Sequence, residues 1–149
     1  MDNLVLQTLS KKFPREARVE TLSISAPDID IWLRDLRDNI DFAFQPIVSI
    51  HTGACYGVEA LLRGYEGLGF DKIPDVFDYA HNNGMLYQTE ITLKEMSISK
   101  FAKLEMDHFV RLFLNIDNRG LDSADYRPDQ MGRLLRKYGL SLRSICLEI

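Results

Sequence analysis

The period of the apolar residues changes along this 149-residue chain, and each change marks an element. Residues 1–27 are weakly patterned and broken by Pro14 and Pro27, so they read as an N-terminal extension. The run Ser25, Ala26, Pro27, Asp28 is a helix-start signal, a cap with proline early in the first turn. Ile29, Trp32, Leu33, Leu36 and Ile40 then recur at helical spacing. Two β-rich runs follow, Phe42–Ile50 and Ala54–Arg63, separated by His51, Thr52 and Gly53. That spacing predicts a hairpin of antiparallel strands. Pro46 has no N–H for a ladder bond, which places it at an edge or a bulge. Pro74 to about Asn83 reads as a helix closed by Gly84, and 87–104 as a longer one whose apolar band includes Leu93, Met96, Phe101 and Leu104. Val110–Ile116 is a strand. Pro128 opens a helix with Met131, Leu134, Leu135 and Tyr138 on one face, Gly139 stops it, and Ser144–Ile149 is a last strand.

Strands that alternate with helices after an initial hairpin predict parallel βα units. A complete βα barrel needs ~200 residues or more, and 28–149 supplies about half the strands, the last one in mid-run. An apolar strand edge left there needs a cover. The expectation is an α/β fold forming roughly the first half of a barrel, completed by more of a larger domain or by another chain.

Alternation within the strands sorts their side chains. In the second run Cys55, Gly57, Glu59, Leu61 and Arg63 share one face; Ala54, Tyr56, Val58, Ala60 and Leu62 form an apolar face suited to packing on helices. Arg111, Phe113 and Asn115 group together on the third strand, and Cys146 with Glu148 on the fourth. Three consecutive strands thus offer one hard-oxygen side chain each near their C-terminal ends: Glu59, Asn115 and Glu148. That end is where parallel βα architectures build active sites. Two carboxylates and an amide suit Mg²⁺ or Mn²⁺ better than zinc. Without a metal, burying two carboxylates together costs stability. The competing reading pairs Glu59 with Arg63 and leaves Asn115 and Glu148 as strand-end caps.

Composition narrows the function classes. A net charge of −4 gives no reason to expect nonspecific polyanion or DNA binding, and Arg133, Arg136, Lys137 and Arg143 read as a solvated face. No apolar run reaches the ~18 residues of a membrane span. The two cysteines, Cys55 and Cys146, sit in apolar runs and read as isolated buried thiols, which fits a reducing cytoplasm. His51, His81 and His108 lack metal-ligand spacing and read as turn or surface residues. The glycine-rich stretch Gly64–Gly69 is not a phosphate loop and reads as a flexible loop near a site. No complete catalytic set appears.

The segment FQPIVSIHTGACYGVEALLRG (44–64) resembles the opening of the EAL domain, the bacterial cyclic di-GMP phosphodiesterase family, with Glu59, Ala60 and Leu61 as its namesake tripeptide. Pro74, Phe77, Ala80 and Gly84, then FLNID (113–117), then LEI (147–149) follow in the family's order. The resemblance spans about residues 40–149 and implies a (β/α)₈ TIM barrel with an antiparallel first strand. It implies that Glu59, Asn115 and Glu148 are metal ligands for Mg²⁺ or Mn²⁺. It also implies that Gln45, Leu61, Leu62 and Arg63 contact the nucleotide, Arg63 through its phosphate-matching fork. The family reaction hydrolyses one phosphodiester bond of cyclic di-GMP to give linear pGpG. The family's paired aspartates, lysine and later glutamates are not in this chain, so the expectation for the chain alone is no turnover. Gly64 replaces the usual aromatic, Asp117 the usual serine, and Asn82 with Asn83 the usual acidic pair. Three functions follow as expectations: part of an active phosphodiesterase, a non-catalytic cyclic di-GMP receptor, or a half-barrel interaction or dimerisation module.

Overall fold

The computed structural model describes residues 27–105, 107 and 109–148. His108, Ile149 and the 1–26 part of the extension, with Ser25, lie outside the described residues. The helix expected to start with Pro27 in its first turn begins later, at Ile29, and Pro27 precedes its cap. Helix α1 (Ile29–Asn39) is capped by Asp28, whose side chain accepts the Asp30 N–H at 2.9 Å. Its apolar stripe places Trp32 and Leu36 in the core. Strands β1 (Asp41–Val48) and β2 (Cys55–Arg63) form the expected antiparallel hairpin. Helices α2 (Ile73–Asn82) and α3 (Leu86–Ala102) follow, then β3 (Arg111–Asn115), α4 (Gln130–Lys137) and β4 (Ile145–Glu148). The sheet order is β1-β2-β3-β4, with β2, β3 and β4 parallel.

Among the described residues, helices cover one sheet face and leave the other open. Phe42, Val58, Ala60, Leu62, Leu112 and Leu114 point into the helix layer and are buried. Against them α3 is the central helix, with Leu93, Ile98 and Phe101 in the core. It also carries buried Thr89, Glu90, Thr92 and Ser97. Trp32 Nε1 donates to Thr89 Oγ1 at 2.7 Å, which docks α1 on α3 without leaving either polar atom unsatisfied. Leu104, expected in the α3 band, lies beyond the helix end and is exposed, because the helix stops at Ala102.

Two readings of the strands are corrected by a β-bulge. The β1–β2 register runs from Asp41 opposite Arg63 to Ile47 opposite Gly57, then shifts so that Val48 faces Cys55. Tyr56 is the extra residue, and a bulge breaks the alternation on which face assignments depend. Its ring leaves the helix side and meets Phe113, with centroids 6.0 Å apart, and Arg111, whose guanidinium lies over it and donates to its hydroxyl. Cys55 moves to Val48's side at the sheet end. It is exposed and unpaired, and Cys146 is half-buried and unpaired, so the expected two buried thiols are not found. The bulge adjoins Pro46 on the outer strand, as its missing N–H required.

The loop after β2 also differs from expectation. Gly64 has φ +83°, and a Cβ there would lie 2.1 Å from the Asn39 carbonyl oxygen. Residues Tyr65–Leu68 form a short 3-10 turn, with Gly67 tight against the Asn39 side chain. The loop is therefore packed on the end of α1, and the close approach explains why glycine stands where an aromatic is usual.

Candidate functional site

The parallel register assembles the site on the open face. Glu59 is the last β2 residue in register with β3, opposite Phe113, and Gln45 faces it from β1. Asn115 closes β3 opposite Glu148 of β4. The Asn115 side-chain amide donates to Glu59 Oε1 at 2.8 Å. Glu59, Asn115 and Glu148 therefore form a row across three strands at the C-terminal end of the parallel sheet. The backbone carbonyl of Glu148 accepts the Ile116 N–H at 2.8 Å, which carries the β3–β4 ladder past Asn115.

The Glu59–Arg63 ion pair does not form. Four strand residues span about 13 Å, and the Arg63 guanidinium turns to the Leu62 carbonyl at 2.8 Å instead. The Glu59 carboxylate instead accepts from the Asn115 amide, so the ion-pair reading gives way to a carboxylate paired across the strands. Leu61 and Arg63 lie on this face with Glu59. Leu62 does not: its side chain is in the core, so only its main chain borders the face. His51 and His81 are exposed, as are Arg133, Arg136, Lys137 and Arg143.

The donor set fits part of a hard-cation sphere. It offers two carboxylates and one amide oxygen, the ligand chemistry of Mg²⁺ or Mn²⁺, and leaves the rest of an octahedron to other donors. Among the described residues no group of three or more His, Cys, Asp and Glu side chains is placed to hold a metal, so the amide is required for a three-donor set.

Sequence reasoning missed the groups that fasten the loop after β3. Glu90, buried on α3, accepts the Asp117 N–H at 2.7 Å and pairs with Lys94 at 2.5 Å. The Asp117 carboxylate accepts from Arg119, which also reaches Asp78 of α2 at 2.8 Å. The Arg119 guanidinium holds the Asp117 carboxyl below the usual carboxylate range, and the two aspartates push the Arg119 pKa further up. The Glu90 and Lys94 spacing was legible as a helical i, i+4 pair, but such pairs are ordinarily on the surface. Beside Asp117, a cleft of about 430 Å³ is lined by Ile73, Pro74, Phe77, Asn115 and Arg119, among others.

A parallel βα sheet with an antiparallel first strand and an acid–amide row at its C-terminal end defines the class: a portion of a βα-barrel fold. The EAL domain profile matches residues 30–149, and the chain belongs to the EAL domain family. Solved structures carry the same fold. The EAL enzyme Bd1971 in its cAMP-bound form aligns at TM-score 0.62 and 17% identity, over 97% of this chain and 37% of its own. The PaMucR phosphodiesterase in complex with c-di-GMP aligns at 0.61 and 21%, over 81% and 51%. Klebsiella pneumoniae BlrP1 in a manganese and cyclic di-GMP complex aligns at 0.56 and 21%, over 73% and 26%. The chain thus spans about half the length of these proteins or less. No curated protein matches it significantly. Among the described residues no helix is long and apolar enough to cross a membrane.

Proposed function

We propose that this chain forms the metal-ligating first half of a cyclic di-GMP phosphodiesterase site, in which Glu59, Asn115 and Glu148 hold a divalent cation. The observation that carries this is the row itself: the Asn115 amide is bonded to Glu59 and stands opposite Glu148 at the end of the parallel strands. Gln45, Leu61 and Arg63 border the same face, with the Leu62 main chain between the last two, and would contact the nucleotide. Arg63 is exposed, and its fork suits a phosphate. When bound, Mg²⁺ or Mn²⁺ would supply Lewis-acid polarisation of the phosphoryl oxygen. The protein's own part is to fix the ligand row and to set a guanidinium beside it.

Three donors do not assemble a two-metal site, so the 149-residue chain hydrolyses cyclic di-GMP negligibly on its own. A second copy or a further domain along the open sheet would complete the cleft. Two unpaired cysteines favour a reducing, cytoplasmic setting. Mn²⁺ titration followed by electron paramagnetic resonance tests the reading. Wild type should bind one ion, and Glu59→Gln and Asn115→Ala should each weaken binding on the order of tenfold or more. Equal affinity in all three proteins would sink it. Turnover of cyclic di-GMP by the purified chain with Mn²⁺ would overturn the claim of inactivity.

A further inference from the structure

Glu90 lies at the centre of contacts that no surface ion pair requires. It is 5% exposed, on the helix behind the sheet, yet its carboxylate reaches the loop that leaves β3. One oxygen accepts the Asp117 N–H, two residues beyond Asn115, and the other takes the Lys94 ammonium. Gly120 of the same loop is buried, and the nearest atoms to a Cβ built on it all belong to Glu90, the closest being Oε2 at 3.4 Å. The loop therefore comes down onto the carboxylate at two points. Glu90 and Lys94 also line, with Leu61 and Asn115, a cavity of about 120 Å³ behind the ligand row.

A buried carboxylate is tolerated only when its oxygens are satisfied, and here one of the partners is the site loop itself. The loop's second fastening, Arg119 to Asp78, is between side chains 39% and 56% exposed, where solvent screens the pair. The two anchors are therefore unequal, and the buried one sets the loop. We infer that Glu90 is a positioning residue: it pins the Asp117 amide so that the Asn115 side chain stays between Glu59 and Glu148. This rests on the metal reading for its purpose but not for its geometry. Outer groups of this kind commonly change metal affinity by ten- to a hundredfold.

The test uses the full chain in four forms: wild type, Glu90→Ala, Glu90→Gln, and Ile98→Ala as a destabilised control buried on the same helix but outside the loop contacts. The readouts are the Asn115 side-chain amide resonances by ¹⁵N NMR and Mn²⁺ affinity. Glu90→Ala should move the Asn115 resonances and weaken Mn²⁺ about tenfold. Glu90→Gln keeps an acceptor for the Asp117 N–H and should stay within about threefold of wild type. Ile98→Ala should change neither. If Glu90→Ala does not fold, Gly120→Val presses on the same contact from the loop side and should shift the same resonances. An Asn115 signal unmoved in these variants, or moved equally by Ile98→Ala, overturns the proposal. If wild type takes up no Mn²⁺, the metal reading fails, and the Asn115 resonances alone decide the positioning role.

Discussion

Gly57 shows how closely the strands are packed near Glu59 and Asn115. A Cβ at this position would stand 2.4 Å from Phe113 Cε2 and 2.8 Å from the Arg111 carbonyl oxygen. The ring could swing aside, but the carbonyl belongs to the neighbouring strand and holds the ladder. Gly57→Ala should therefore destabilise by about 1–3 kcal/mol, the range for overpacking, measured by urea denaturation. Phe113→Ala combined with it should recover only part of the loss, because the backbone conflict remains. Full recovery would show that the ring alone sets the limit. Trp32 poses the opposite case. Trp32→Phe keeps an aromatic ring against Phe70 and Tyr79 but removes the N–H that Thr89 accepts. Leaving that buried hydroxyl without its donor should cost about 1–3 kcal/mol, and Thr89→Val in the same background should restore part of it. A double variant no more stable than Trp32→Phe would argue that packing, not the hydrogen bond, docks α1.

Between elements, the tie from α3 to α4 is electrostatic as well as apolar. Glu95 accepts from Lys137 at 2.5 Å and from the Tyr138 hydroxyl at 3.1 Å. The Lys137 hydrogen bond, ahead of the opposing effect of burial, holds the Glu95 carboxyl below its usual range. A carboxyl whose pKa is lowered on folding contributes its stability above the unfolded value, ~4.3 for glutamate. The contribution is lost as pH falls through the lower folded value. The thermal midpoint should drop as the protein is acidified below about pH 4, and Glu95→Gln should flatten that part of the profile. An unchanged slope would place the acid sensitivity elsewhere, with Asp117 and Asp41 the next groups held low, by Arg119 and Lys100. The elements themselves were legible in sequence, since proline, glycine and the apolar period mark their ends: Gly84 and Gly139 have φ near +70° where the helices stop. The bulge at Tyr56 was not, because a strict alternation hides one inserted residue. Nor was Glu90, because a helical Glu–Lys pair looks the same in sequence whether it faces water or a loop. That Glu59, Asn115 and Glu148 fall in one row was legible because it needs only the strand period and the order of strands; the hydrogen bond from Asn115 to Glu59 needed the register.

At the largest scale, the unbalanced feature is a largely parallel sheet that the described residues cover on one side. Such sheets normally have both faces buried, and among the described residues helices cover only the Val58 and Leu112 side. The opposite face presents Tyr56, Leu61 and Phe113 together with the acid–amide row, and among the described residues β1 and β4 each pair with a single neighbour. An unpaired edge is a template for another strand. On β4, Leu147 is 45% exposed, with Glu148 beside it but no positive charge on the strand to deter pairing. The 149-residue chain should therefore associate with itself. Its sedimentation coefficient should rise with concentration, and Leu147→Lys should move the population toward monomer while leaving the thermal midpoint within a few degrees. The half-exposed leucine contributes little to the core, and lysine is the usual guard of a free edge. A coefficient that stays constant over a hundredfold range of concentration, in wild type and variant alike, would mean that the β4 edge is already protected. Association that persists undiminished in Leu147→Lys would instead move the contact to the open face, where Phe113 is the next residue to change.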